Sequence, residues 1–348
     1  MKYDIIDNFK RTEKIQSELR FGDFDKVKDP FFSVVIPTYR RPDLLKETIM
    51  SAVNQENFDF PYEIIVVDNE ATDTINETEL LIRDLDIENV YYYKNKKNLG
   101  GAGNWNRGIF LARSNWIIMC HDDDWIKKDC LAVMKEIIEQ HVNTKMEIGY
   151  IRSSADSWYD SNINCFQKSR KHMKLPKKKT ALIKQTYNNV IWGGGATWAG
   201  APTCGTLLNK SAVLEVGGYN QDLTPCFDCY VPYHMLGRYA VYKTVYSLGV
   251  YRWSQNDTYR KETLLGLIKA YNEFLEILSN KHYIIRFFSN EHFVDCVNYY
   301  RKKANEVNVE ISDEDIMQIR DVRYSKLRLK ILYLCRKINY GLKILLAK

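Results

Sequence analysis

Three consecutive carboxylates, Asp122, Asp123 and Asp124, follow His121 and the apolar run 116–120. An apolar run that stops abruptly at charged residues reads as a buried strand ending in an acidic turn. Adjacent negative charges repel one another, and a divalent cation with oxygen preference relieves that repulsion. Mg2+ or Mn2+ suits such a turn, because these ions are held by one or two carboxylates together with substrate phosphates. A solvated acidic turn, with Asp124 capping the next helix, satisfies the same residues. A second candidate is the turn NLGGAGNWNRG, residues 98–108. There Asn98 and Gly101 precede a helix whose amide ends could face an anionic or ribose-bearing ligand, and Arg107 could reach a diphosphate or simply sit on an exposed helix face.

Strands and helices in alternation must position these groups. FFSVVIPTY (31–39) reads as a strand, and Arg41, Pro42 and Asp43 open a helix with Leu45, Ile49, Ala52 and Val53 on one stripe. YEIIVVDNE (62–70) is a second strand ending at Asp68, followed by a helix over 77–85 and a strand over 89–95. The glycine turn leads into a helix through about Arg113, then into the acidic strand, and IGYIRSSADSWY (148–159) reads as another strand. Continuous apolar strands separated by helices predict a parallel sheet covered on both faces, with ligands bound beyond the carboxyl ends of the strands. Thr38, Asp68, Asn98 and the three aspartates would then gather at one edge, although polar loops follow strands in any protein.

Composition limits the alternatives. The chain has 348 residues, 45% hydrophobic and 27% charged, enough for one large core with a smaller appended unit. No charged-then-apolar leader opens it and no apolar run is long enough to cross a bilayer, which predicts a cytoplasmic protein. The eight scattered cysteines then read as reduced thiols, and the pair Cys226/Cys229 lacks the two further ligands that zinc needs. Residues 1–30 read as an extension packed outside the core, with a helix-compatible piece around 8–19. The basic run 167–180 reads as a solvated loop or a phosphate contact; it lacks the interleaved aromatics of a nucleic-acid surface, so no nucleic-acid partner is expected.

Gly101 and Gly103 give GxG, but Asn106 stands where a dinucleotide fingerprint needs Gly or Ala, and the turn follows the third strand. VVIPTYRR, EIIVVDNEATD, NLGGAGNWNRG, HDDDW and GTLLNKSAVLEVGGYNQDL, in this order, resemble instead the inverting nucleotide-sugar glycosyltransferases of family 2. The resemblance covers about residues 31–255. It implies an α/β fold of GT-A (Rossmann-like) type: a mixed, mostly parallel sheet with flanking helices, plus a C-terminal helical extension. It divides the chain into an extension (1–30), a catalytic domain (31–257, with a nucleotide-binding half 31–125 and an acceptor half 126–257) and a helical region (258–348).

By the same resemblance Pro37, Thr38 and Tyr39 line the nucleotide pocket, Asp68 contacts the base, and Asp122, Asp123 and Asp124 hold ribose and Mn2+ or Mg2+. His121 stands where the family has its first aspartate, so Asp123 is the favoured ligand with Asp122 or Asp124 assisting. Asp228 matches the aspartate that acts as general base, although Phe227 replaces the glutamate before it; Asp222 competes, and a helix cap is the structural alternative. Trp192 and Trp198 could stack on an acceptor sugar or pack beneath a loop. Arg252 or Trp253 could cover the diphosphate.

The last segment repeats Leu327, Ile331, Leu334, Ile338, Leu342 and Leu345 at helical spacing among lysines and arginines, with no acidic residue after Asp321. Such a helix could lie on an anionic membrane surface, at the inner face of the cell membrane, or dock on its own domain or on a homodimer partner. The implied activity moves a sugar from a nucleotide diphosphate donor, by default UDP-linked, to a glycan or lipid-linked acceptor in cell-surface polysaccharide or capsule assembly. A catalytically decayed binding or scaffold protein and a nucleotidyltransferase are the competing readings.

Overall fold

A computed structural model describes residues 4–159, 162–164, 178–193, 203–252 and 260–346. The strands are β1 (Ser17–Phe21), β2 (Phe32–Thr38), β3 (Tyr62–Asp68), β4 (Val90–Asn95), β5 (Trp116–Met119), β6 (Trp125–Ile126), β7 (Ile148–Tyr159), β8 (Asn162–Asn164), β9 (Leu182–Lys184), β10 (Thr206–Asn209) and β11 (Ala240–Arg252). They join one sheet in the order β1-β4-β3-β2-β5-β10-β7-β11-β6, with β8 on β7 and β9 on β11. Strands β4, β3, β2 and β5 are parallel, as their unbroken apolar character predicts. Antiparallel β10 then joins β5 to β7, and β7 runs parallel to β11.

Every residue of β2 and β3 is buried, because helices cover both faces. Val34, Ile36, Ile64 and Val66 face Leu45 and Ile49 of helix α1 (Pro42–Val53). Val35, Ile65 and Val67 face Trp105 and Ile109, and that second core continues to Phe274 and Phe293 in the C-terminal helices. Helix α2 spans Glu77–Leu85, and α3 spans Gly100–Leu111. Helix α3 lies close to β2 because residue 108 is glycine: a Cβ there would collide with Val35 Cγ1. That close approach sets where the glycine turn sits relative to the strand ends.

The N-terminal residues depart from expectation. Instead of a helical piece outside the core they make a single 3-10 turn (Phe9–Arg11) and then β1, which pairs antiparallel with β4 and completes the sheet edge. Asn8 is buried and donates to Gly217 O at 3.2 Å, so the extension bridges the two halves. An open edge of β4 offers unpaired backbone groups, and that tertiary opportunity overrides weak local helix preference. Beyond residue 260, helices Lys261–Lys281, Tyr283–Phe287, Ser289–Asn305, Asp313–Met317 and Lys326–Leu345 form a layer on the sheet. Among the described residues no helix is long and apolar enough to cross a membrane.

Candidate active site

Strand β5 ends at the acidic turn, where each carboxylate has a different environment. Asp122 Oδ2 accepts hydrogen bonds from Thr38 Oγ1 (2.8 Å) and Tyr39 N (3.3 Å), which ties it to the end of β2. Asp123 Oδ2 accepts from Arg41 Nη1 at 2.9 Å, and the same nitrogen lies 3.7 Å from Asp122 Oδ1. Asp124 is fully buried; its Oδ1 accepts from the backbone N–H of Arg252 at 2.9 Å. Its Oδ2 is buried with no hydrogen-bond partner among the described residues. His121 Nδ1 lies 3.9 Å from that oxygen, while Nε2 is 2.7 Å from Thr203 Oγ1.

Burial dominates the electrostatics here. It raises the Asp122 carboxyl to about 6, with the Asp123 charge adding to the effect and Arg41 and Thr38 opposing it. Burial and then the Asp123 charge push Asp124 well above the usual carboxylate range. Burial also lowers His121, which favours a neutral imidazole with a lone pair to give. An unpaired buried carboxylate oxygen is costly unless a cation or proton meets it.

His121, Asp123 and Asp124 each offer a ligand atom, all within 4.8 Å of one another. The orphan oxygen of Asp124 and this donor set fit a divalent cation, and the imidazole tilts the fit toward Mn2+ over Mg2+. One expectation shifts as a result: Asp122, held by Thr38 and Tyr39, stands outside the cluster, and His121 takes its place. The signal was in the sequence, since imidazole is itself a metal ligand. Arg41 was not anticipated either; its guanidinium neutralises part of the turn.

Other expected residues fall into two groups. Pro37 and Thr38 end β2, Tyr39 is exposed beside them, and Arg40 pairs with Glu70 across the next strand end. Asp68 reaches the same edge but is turned inward: it accepts from Glu70 N (2.8 Å), Asn76 Nδ2 (2.8 Å) and Tyr92 OH (2.7 Å). Burial raises its pKa, and those donors oppose the rise. It shapes the loop 69–76 and is not an open acceptor for a base. Asn98 Oδ1 accepts from Asn69 Nδ2 and Gly100 N, which fixes the start of α3. Gly101 is exposed and lies against Phe227, where a Cβ would come within 3.3 Å of the ring.

Arg107 does not point to this edge. Its Nη2 donates to Thr12 O (2.7 Å) and Ile15 O (2.6 Å), so it anchors the N-terminal segment. Arg252 is committed as well, to Glu47 at 2.6 Å and to the face of Trp125 at 4.2 Å.

Asp228 is half-buried, in the turn Phe227–Cys229. The preceding Phe227 meets Trp105 edge-on at 4.8 Å, and Trp105 meets His121 at 4.6 Å. Two ring contacts therefore connect the Asp228 turn to the acidic turn. Both oxygens of the competing Asp222 accept from Arg11, at 2.8 and 2.7 Å. Cys229 Sγ donates to Cys226 O at 2.9 Å, consistent with free thiols. Trp192 packs against Phe288, and its carbonyl accepts from Arg336 at 3.0 Å, so it is built into the C-terminal layer. Trp198 and Trp253, like most of the basic run, lie outside the described residues.

Residues 33–196 match the family model described as Glycosyl transferase family 2. The chain carries a family 2 glycosyltransferase domain. Its fold is GT-A, with the C-terminal helices appended. It is 30% identical over 134 residues to abequosyltransferase RfbV of Salmonella typhimurium, covering 36% of this chain and 40% of RfbV. It is 26% identical over 184 residues to the GalNAc(5)-diNAcBac-PP-undecaprenol beta-1,3-glucosyltransferase of Campylobacter jejuni, covering 48% of this chain and 58% of that one. The chain thus aligns with less than two thirds of either relative. The structure of S. aureus TarS 1-349 in complex with UDP-GlcNAc superposes with a TM-score of 0.54 at 16% identity, over 90% of each chain. Mannosyltransferase PcManGT of Pyrobaculum calidifontis, in complex with GDP-Man and Mn2+, gives 0.50 at 14% identity over 97% of this chain and 91% of that one. At these identities the likeness concerns fold.

Proposed function

We propose that this chain is an inverting, metal-dependent glycosyltransferase. It moves a hexosyl or N-acetylhexosaminyl group from a UDP-linked donor to a hydroxyl of a glycan or lipid-linked oligosaccharide, in cell-surface polysaccharide assembly. The observation that carries the reading is the buried Asp124 Oδ2, without a hydrogen-bond partner among the described residues, beside Asp123 and His121 at the carboxyl ends of the parallel strands. The names of the undecaprenol-linked glucosyltransferase and of the UDP-GlcNAc complex support the acceptor and donor classes. A lipid-linked acceptor suits a cytoplasmic enzyme working at the inner face of the cell membrane.

His121, Asp123 and Asp124 would hold Mn2+, or Mg2+ less well. A cation held there would supply positive charge to offset that of the departing diphosphate. Thr38, Tyr39 and Asp122 line the nucleotide side, with the Asn98–Gly101 turn opposite. Asp68 acts through the loop it shapes. Asp228 takes the proton of the acceptor hydroxyl as the new C–O bond forms on the face opposite the leaving group.

The test is a panel of nucleotide sugars assayed for Mn2+-dependent release of nucleoside diphosphate, with Asp123→Ala and Asp228→Asn as controls. Turnover that survives either substitution removes that residue from its role. Pyrophosphate release would mark a nucleotidyltransferase, and binding without turnover a decayed site, to which the departures at His121 and Phe227 would then point.

A further inference from the structure

The C-terminal layer carries an exposed apolar surface. Helix Lys326–Leu345 docks through one side: Leu332 is fully buried, and Arg336 pairs with Asp295 at 2.7 Å and donates to Trp192 O at 3.0 Å. Leu327, Ile331, Leu334, Ile338 and Leu342 recur every three or four residues on the opposite side, and they are 42% to 69% exposed. The stripe that looks like a packing face in the sequence therefore faces outward.

It is also not isolated. Helix Tyr283–Phe287 exposes Tyr283, Ile284 and Phe287, and the Arg328 guanidinium sits 4.5 Å above the Phe287 ring. That contact sets the exposed residues of the two helices beside each other. Single exposed leucines need no explanation, whereas a continuous row of large apolar side chains marks a docking face.

Charge selects the occupant. Lys326, Lys330 and Lys337 flank the stripe on one side and Arg328 on the other, all exposed, and residues 322–348 contain no carboxylate side chain. A second copy docked symmetrically would bring these cations toward one another with no acidic group on the helix to pair them. An anionic bilayer offers an apolar interior below and negative headgroups at the level of the lysines. We propose that this face binds the surface of an anionic lipid bilayer, with helix Lys326–Leu345 lying in the headgroup plane. No described helix is built to cross the bilayer, which agrees with an in-plane arrangement. The proposal rests on this surface alone and is independent of the donor site.

The experiment is flotation of the full chain with vesicles of phosphatidylcholine, with and without phosphatidylglycerol. The chain should rise with the anionic vesicles, less so as salt is increased, and remain behind with phosphatidylcholine alone. Leu334→Asp with Ile338→Asp should abolish the rise. Lys330→Glu with Lys337→Glu should lower partitioning by about tenfold or more. All four side chains are exposed, so circular dichroism and the thermal midpoint should match the parent and separate lost binding from lost folding. A parent chain that stays behind with anionic vesicles, or an aspartate variant that rises like the parent, overturns the proposal. So does a parent dimer that the aspartate variant converts to monomer in sedimentation without vesicles, because the face would then belong to a second copy.

Discussion

The acidic end of the sheet and the outer face of the C-terminal layer violate opposite rules. At the first, charge is buried: Asp122 and Asp124 are withdrawn from water, and one Asp124 oxygen has no hydrogen-bond partner among the described residues. At the second, apolar surface is exposed, from Leu327 to Leu342 along one helix. Elsewhere the molecule is ordinary, with Val34–Ile36 and Ile64–Val67 buried between helices. The contrast teaches that a fold tolerates local instability where something outside the chain can relieve it. A cation and a diphosphate would do so at one end, and a lipid surface at the other.

The largest expected effect is chemical: Asp228→Asn should cut turnover by roughly 10²–10⁴-fold while nucleotide binding, read by calorimetry, persists. Retained turnover would separate the Phe227–Cys229 turn from the reaction. The C-terminal helix offers a test of its two sides. Leu332→Ala should cost about 2–5 kcal/mol by denaturant unfolding, because it empties a fully buried position, whereas Leu334→Ala should stay within about 0.5 kcal/mol. Equal losses would mean that the outer stripe is covered in the protein's own fold.

A smaller effect of unusual sign belongs to the acidic turn. In the absence of divalent cations, Asp124→Asn should stabilise the protein by about 1 kcal/mol, since it removes a buried carboxyl whose ionisation burial and Asp123 both oppose, while keeping the oxygen that Arg252 N–H requires. The same substitution should weaken Mn2+ binding, measured by electron paramagnetic resonance. Destabilisation of the metal-free protein would show that the carboxylate is satisfied as it stands.

The two regions should also respond oppositely to acid. Asp122 is raised from 3.8 to about 6, so the folded state holds more protons between those values. Its contribution to stability is greatest below pH 4 and declines as pH rises through 6. His292, between the C-terminal helices, is lowered by burial and then by Arg336 from 6.5 to about 4. The unfolded chain binds its proton first, so that contribution is intact above pH 6.5 and declines as pH falls to 4. Thermal midpoints of metal-free Asp122→Asn and His292→Phe across this range should diverge from the parent at opposite ends. Divergence at the same end would refute the contrast.

Much of the first half was legible in the sequence. FSVVIPT and YEIIVVD are unbroken apolar runs, and Pro42 at the start of α1 marks its boundary, so local pattern and fold agree. Legibility failed where a residue's role depends on a distant partner. Nothing in SELRF announces pairing with β4, and Arg107 looks like a phosphate ligand until Thr12 and Ile15 come to rest beside it. The outward turn of the Leu327–Leu342 stripe is equally nonlocal, because it depends on Asp295 and Trp192 capturing Arg336.

By itself the order of residues determined the alternating strands and helices, the strand ends where polar groups collect, and the three adjacent aspartates. Periodicity and turn chemistry act over a few residues, and those features need no more. Only the tertiary structure decided that His121 joins Asp123 and Asp124 while Asp122 leaves them for Thr38, that Asp68 turns inward, and which side of the last helix meets water. Each of those outcomes is a choice among hydrogen-bond and packing partners far apart in the chain, and folding brings the partners together before the choice exists.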